Sequence, residues 1–328
     1  MGSTCSGIGV CHRAATLVGA ANEHISIKPA FVCDTGKSAR KVLLADFPGV
    51  QLFGDVGRDM FRLPSCDILV AGFPCQPFSQ ANRRRKGMGD PRCSIASSIL
   101  SYVERVGPKL VVLENVPGIL SFGKEVIHDI VYRLQAARYE VAMHQLWSHT
   151  HGGVPQRRCR LYLVAISAPQ CPLEWPAAIP MRSLPSILDA APCEPRARPT
   201  ARKAATKIDR VEAQLLIHQV SDAERAFMVV NCHSQLGQLF MEATPCLTSA
   251  RGAQGGFWLL GQHRMMSVGE LLRLQGLDPS STRIASVVSK RQAGSLLGNS
   301  FTLPVMARVL VSAFRCMGCT VVDPVAAP

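Results

Sequence analysis

The 328-residue chain is 47% hydrophobic and 18% charged, which excludes an intrinsically disordered protein and leaves room for one large domain or two moderate ones. Its formal net charge of +13 favours a polyanionic partner, because Lys and Arg that neutralise phosphates release condensed counterions. No apolar run reaches about 18 residues, so neither a membrane span nor a membrane partner is expected. The thirteen cysteines, odd in number and without a signal peptide before them, read as reduced thiols inside a cell.

In chain order, the run AFVCD at 30–34 predicts a short buried strand, and helical spacing follows at 38–46. DILVAGF at 67–73 predicts a second strand. Residues 94–106 place Ile95, Ile99, Leu100, Val103 and Val106 on one helical face. KLVVLENV at 109–116 predicts a third strand, 124–137 another amphipathic helix, and 140–147 and 160–166 two further strands. This alternation predicts a doubly wound α/β sheet, with ligands beyond the carboxyl ends of its strands. Residues 72–79 and 114–118 fall at such ends. From 168 to 200 prolines accumulate, and Arg196, Arg198, Arg202, Lys203, Lys207 and Arg210 form a basic cluster, so this stretch reads as a small irregular domain or insertion. Order is expected to resume near Thr244. Ser267-Val268-Gly269-Glu270 reads as a capping box, and 303–317 as a final helix with Pro304 in its first turn. Cys316 and Cys319 have CxxC spacing but no second pair, so no metal site is assigned.

Three segments carry chemistry. In Gly72-Phe73-Pro74-Cys75-Gln76-Pro77-Phe78-Ser79 a cysteine stands between two prolines after a strand, and proline stiffens such a loop around a nucleophile. In Glu114-Asn115-Val116 a carboxylate ends an apolar strand, where burial without a task is costly. In Gln156-Arg157-Arg158-Cys159-Arg160 strand alternation sets Arg158 and Arg160 on the same side.

With these segments in this order, the chain resembles the cytosine-C5 DNA methyltransferases from about Ser3 to Phe314. Gly7-Ile8-Gly9, Gly54-Asp55-Val56 and Asp90-Pro91-Arg92 also match, as do Thr244-Pro245-Cys246-Leu247-Thr248, Arg273-Leu274-Gln275-Gly276 and Gly298-Asn299-Ser300. The resemblance implies a Rossmann-like S-adenosylmethionine-dependent methyltransferase sheet with a small irregular target-recognition domain. It divides the chain into a catalytic and cofactor-binding part (1–166), a target-recognition region (167–243) and a return to the catalytic part (244–328). It implies transfer of a methyl group from S-adenosylmethionine to C5 of a flipped cytosine, through a covalent adduct of Cys75. Glu114, Arg158 and Arg160 would act on the base, with Pro74 and Asn115 shaping the site. Cys5, Gly7, Gly9, Asp34, Asp55, Val56, Asn299 and Ser300 would hold the donor. Ser79, Arg83, Arg84, Arg85, Lys86, Arg92, Gln156 and Arg251 would meet double-stranded DNA. The expected protein is a monomer, nuclear in a eukaryote and cytoplasmic in a bacterium.

The sequence departs from the family at its start. Ser3 and Cys5 stand where the family has an acid and a phenylalanine, and the first strand is expected to be absent or curtailed. Gly36 replaces a common second acid, and Asp46 stands where Asn is usual. Two alternatives accompany the DNA enzyme: an RNA (tRNA) cytosine-C5 methyltransferase of the same fold, and a cofactor-deficient DNA-binding homologue.

Overall fold

The computed structural model describes residues 1–78, 90–190, 202–234 and 236–326. The chain forms two compact units. One comprises Met1–Trp147, Cys159–Ala178 and Phe301–Pro328, the other Ser148–Arg158 and Ile179–Ser300. This division differs from the one expected at residues 166 and 243.

The first unit opens with β1 (Gly2–Thr4), α1 (Val10–Ala20), β2 (Phe31–Cys33), α2 (Lys37–Asp46), β3 (Gln51–Phe53), α3 (Val56–Asp59) and β4 (Ile68–Ala71). It continues through α4 (Ser94–Val106), β5 (Leu110–Asn115), α5 (Ile119–Phe122), α6 (Lys124–Ala136) and β6 (Glu140–Trp147). The chain contributes α7 (Ser148–His151) and β7 (Gln156–Arg157) to the second unit, then returns for β8 (Cys159–Ile166). The second unit then takes α8 (Arg202–Ile217), α9 (Asp222–Arg225), β9 (Met228–Asn231), β10 (Gln238–Met241), β11 (Thr244–Pro245) and α10 (Ser249–Ala253). It ends with β12 (Phe257–Leu259), β13 (Arg264–Met265), α11 (Val268–Leu274), α12 (Ile284–Val287) and α13 (Lys290–Asn299), and α14 (Leu303–Cys316) completes the first unit.

The seven-stranded sheet of the first unit has the order β3-β2-β1-β4-β5-β8-β6. Its first five strands are parallel, and β8 runs antiparallel to both its neighbours. All residues of β4 and β5 are buried, as expected of strands covered on both faces. On one face, Leu69, Ala71, Val111 and Leu113 share a core with Phe31, Ile99, Val103, Ile130 and Leu163. The first strand is present and central: β1 has three residues, as many as β2 and β3, and pairs with both β2 and β4. Gly2 suits this place because the Phe31 ring occupies the space a side chain would need. Asp46 forms an ion pair with Arg13 at 2.6 Å, joining α2 to α1.

The strand order reverses between β1 and β4, which makes the ends of these strands a topological switch point. Thr4 and Ala71, the last residues of the two strands, are register partners. The loops at 5–9 and 72–78 therefore leave the sheet side by side.

The second unit is more ordered than its composition suggests. It holds a four-stranded sheet, β10-β9-β12-β13, and α8 packs Ile208, Val211 and Leu215 onto Met228, Val230 and Trp258. Lys207, counted in the basic cluster, donates from Nζ to the Cys232 carbonyl at 2.9 Å and is committed within this unit. Helices α10 and α13 cross at Gly252 and Gly294, where a Cβ on either glycine would run into the other's backbone. The expected capping box forms at Ser267 and Glu270, and the Glu270 carboxylate also pairs with buried Arg264. One helical stretch, Lys290–Cys316, has the length and composition of a membrane span. Its most apolar window is 83% buried, and it divides into α13 and α14.

Candidate active site

The loop after β4 is held by a side chain at the end of β5 and by packing against other parts of its own unit. Asn115, the last residue of β5, donates from Nδ2 to the Phe73 carbonyl at 3.2 Å, and its Oδ1 accepts from the Val116 amide at 2.8 Å. The Phe78 amide donates to the Cys75 carbonyl at 3.0 Å and closes a turn around the cysteine. Phe78 is buried against Gly123, where a Cβ would lie 2.6 Å from its ring. Phe301 packs on Gly72: a Cβ there would lie 2.8 Å from the Phe301 ring and 3.7 Å from Glu114 Oε2. Gly72 thus lets the loop pass directly beside the Glu114 carboxylate. The sequence signal for the Phe301 wall was Gly72 itself, a small residue at a strand end with no turn to make.

Glu114 is buried, and Arg160 Nε lies 3.0 Å from its Oε1. Two neighbouring strands supply the pair, since β5 and β8 match Glu114 with Tyr162. Arg160 also donates from Nη1 to the Cys159 carbonyl at 2.7 Å, which fixes one edge of the guanidinium. Cys75 is half-buried and within electrostatic reach of Arg92. Arg92 is held above the usual guanidinium range mainly by its hydrogen bonds to Asp90, with Cys75 among the smaller contributions.

The loop at 5–9 takes the left-handed conformation at three residues: Cys5 (φ 52°), Gly7 (φ 56°) and Gly9 (φ 74°). Gly9 is required twice over, because a side chain there would also strike the Phe47 ring. Gly7 faces open space, with no atom within 4 Å of a Cβ built on it, so the turn is an open cradle. Its amide donates to Asp34 Oδ2 at 2.8 Å, and the Gly36 amide donates to Asp34 Oδ1 at 2.8 Å. Burial raises the Asp34 carboxyl above the usual range, against these amides and Arg40. Each oxygen keeps acceptor capacity for a further hydroxyl. Asp55 caps α3 through the Gly57 amide at 2.8 Å, and Val56 is buried behind it. Burial and nearby Asp34 push the Cys5 thiol far up, so it stays protonated.

The remaining expected residues separate. Arg158 does not share a strand face with Arg160: β7 ends at Arg157 and pairs with β11, whereas β8 begins at Cys159 and pairs with β5 and β6. Alternation therefore does not run through Arg158. Its guanidinium is buried in the second unit, donating to the carbonyls of Leu247 (2.8 Å), Gly298 (3.2 Å) and Ser300 (2.6 Å). Gln156 is likewise internal, bridging Leu274, Gln275 and the Leu247 amide. Arg92 is engaged by Asp90 at 2.5 Å, and half-buried Arg251 donates to the Cys246 carbonyl. Asn299 is exposed in the second unit, and Ser300 is buried there with its hydroxyl on the Leu297 carbonyl. Ser79, Arg83, Arg84, Arg85 and Lys86 lie outside the described residues. At the end of α14, Cys316 is buried with its thiol on the Cys171 carbonyl at 2.8 Å.

The chain is similar to known proteins. The family described as C-5 cytosine-specific DNA methylase matches residues 1–315. A type II methyltransferase of Moraxella sp (M.MspI) is 34% identical over 130 residues, 39% of this chain and 31% of that protein. The type II methyltransferase M.NlaX of Neisseria lactamica is 33% identical over 171 residues, 51% of this chain and 54% of that protein. The chain thus spans about half or less of the curated relatives it matches. Among solved structures, the Entamoeba histolytica methyltransferase EhMeth superposes with a TM-score of 0.69 at 19% identity, over 96% of this chain and 97% of that one.

Proposed function

The chain belongs to the C-5 cytosine-specific DNA methylase family, and from that premise we propose that it methylates C5 of a cytosine flipped out of double-stranded DNA, with Cys75 as nucleophile. One observation carries the reading. The nucleophile loop and the Glu114–Arg160 pair are fastened together at neighbouring strand ends, through Asn115 on Phe73 and Gly72 beside Glu114.

The chemistry follows from that placement. Cytosine C5 is a weak nucleophile until a thiolate adds at C6 and pushes electron density onto it. Cys75 makes this bond, and Arg92 nearby favours the thiolate. Glu114, in its protonated form, donates a hydrogen bond to N3 of the base, drawing charge into the ring as the C6 bond forms. Arg160 holds the Glu114 side chain in place, and its positive charge would polarise the base carbonyl. Once C5 has taken up the methyl group, a solvent base removes the C5 proton, and the electrons of that C–H bond re-form the C5–C6 double bond as the thiolate of Cys75 leaves. The buried pyrimidine edge is out of reach in a duplex, so the base must leave the stack.

S-adenosylmethionine, when bound, supplies an electrophilic methyl group. The first unit fits it: the Gly7 turn leaves open space, Asp34 offers two acceptor oxygens for ribose hydroxyls, and Asp55 and Val56 stand at the next strand end. The net charge of +13 suits the polyanionic substrate, and a reaction that needs donor and DNA together places the protein inside the cell.

Tritiated methyl from S-adenosylmethionine should enter duplex DNA, and Cys75→Ser should abolish it. On DNA containing 5-fluorocytosine the wild type should form an adduct that survives denaturation. Label entering tRNA but not DNA would sink this reading in favour of an RNA enzyme.

A further inference from the structure

Three buried polar side chains form a chain of hydrogen bonds beneath the 5–9 loop. Ser3 Oγ lies 2.6 Å from Ser6 Oγ and 3.0 Å from His12 Nε2. Ser3 is wholly buried, and Ser6 and His12 are 3% and 4% exposed. Ser6 is the hub. Its Oγ accepts from the Cys33 amide at 2.9 Å, its amide donates to the Cys33 carbonyl at 3.0 Å, and its carbonyl accepts from the Gly9 amide at 2.9 Å. The His12 ring also hydrogen-bonds the Phe31 backbone and lies 5.7 Å from the Phe47 ring, which roofs Gly9. One imidazole on α1 thus ties together β1, the end of β2 and the turn carrying Gly7.

Burial, reinforced by the N-terminal ammonium, lowers the imidazole to about 4, so His12 is neutral at ordinary pH. A neutral imidazole has one donor and one acceptor nitrogen, and a hydroxyl has both functions, so the chain can be satisfied throughout without a buried charge. Apolar surroundings alone would not hold three left-handed residues within a five-residue loop in one geometry. A satisfied polar network does, because each alternative conformation strands a buried donor or acceptor.

We propose that His12 is a positioning residue for the methyl donor: acting through Ser3 and Ser6, it holds the 5–9 turn open in its donor-binding form. The inference rests on the reading of this turn as the donor site. It assigns to a hydroxyl–imidazole chain the ordering of a loop whose first strand carries no acid.

The test compares wild type with His12→Leu, which fills the space without a hydrogen bond, and His12→Gln, which restores one. Amide hydrogen exchange is read at residues 5–9, and binding of S-adenosylhomocysteine by calorimetry. His12→Leu should accelerate exchange at Gly7 and Gly9 and weaken binding about tenfold, or ~1.4 kcal/mol. His12→Gln should recover both. If His12→Leu does not fold, Ser3→Ala makes the same test by removing one hydroxyl. Exchange and binding unchanged in His12→Leu would overturn the proposal, as would equal deficits in Leu and Gln. A wild type that binds no S-adenosylhomocysteine would refute the donor site itself, and the exchange measurement would still decide whether His12 orders the turn.

Discussion

Arg158 and Arg160 stand two residues apart and hold different things. Arg160 aligns a carboxylate with the loop of Cys75, whereas Arg158 gathers three carbonyls inside the second unit. Their substitutions should separate cleanly. Arg160→Ala should cut turnover by roughly 10²–10⁴-fold, the usual range for a positioned acid or its partner, with little change in the melting temperature. Arg158→Ala should unfold the protein early, by ~3 kcal/mol or more, because it leaves buried carbonyls without donors. Thermal melts beside methylation assays check both, and an Arg158→Ala protein that melts like wild type would refute the structural role. His12 adds a pH dependence. Its native form is neutral down to about 4, whereas the unfolded chain takes up a proton near 6.5. The stability contributed is therefore complete above pH 6.5, declines as pH falls towards 4, and levels off below. The loss should approach ~3 kcal/mol. Denaturant titrations of wild type and His12→Gln should diverge across that window, and parallel curves would contradict the burial argument.

At the scale of elements, the tightest constraint is the crossing of α10 and α13. Gly294 and Gly298 lie one turn apart on α13, and backbone from Gly252 and from Thr248 and Ser249 fills the space where their side chains would be. Gly294→Ala should cost more than ~3 kcal/mol, since the obstacle is backbone rather than a movable side chain. A melting temperature within a few degrees of wild type would disprove this packing. Much of the first unit was legible in sequence: the helix at Ser94–Val106 and the strand at Glu140–Trp147 have the expected bounds, and in the helix the apolar spacing decides the burial. The acid at the end of β5 and the cysteine after β4 were legible for the same reason. The helix α8 and its sheet were not, because Lys207 and its basic neighbours mask the stripe of Ile208, Val211 and Leu215. Nor was the fate of Arg158, since strand alternation says nothing of a break in pairing between β7 and β8. Ser3 read only as a departure, and nothing in the sequence singled out His12, nine residues on, as its hydrogen-bond partner.

For the whole molecule, the charge excess of +13 has a measurable consequence. If about five phosphates are neutralised, DNA affinity should fall on the order of several hundredfold between 50 and 200 mM salt. Fluorescence anisotropy on a labelled duplex measures the slope, and binding insensitive to salt would remove electrostatics from the account of substrate choice.

The bonds that close both units span much of the chain. Arg158 finds Ser300 142 residues later, and Asn22, just past the first helix, finds Val322 after 300. At about 5–20 residues per second on a ribosome, Arg158 waits roughly 7–28 s for its last carbonyl. Until then a guanidinium destined for the interior faces water, and the first helix lacks its partner. Neither unit can finish folding before these late residues emerge, so until then the newborn chain is exposed to proteases and chaperones.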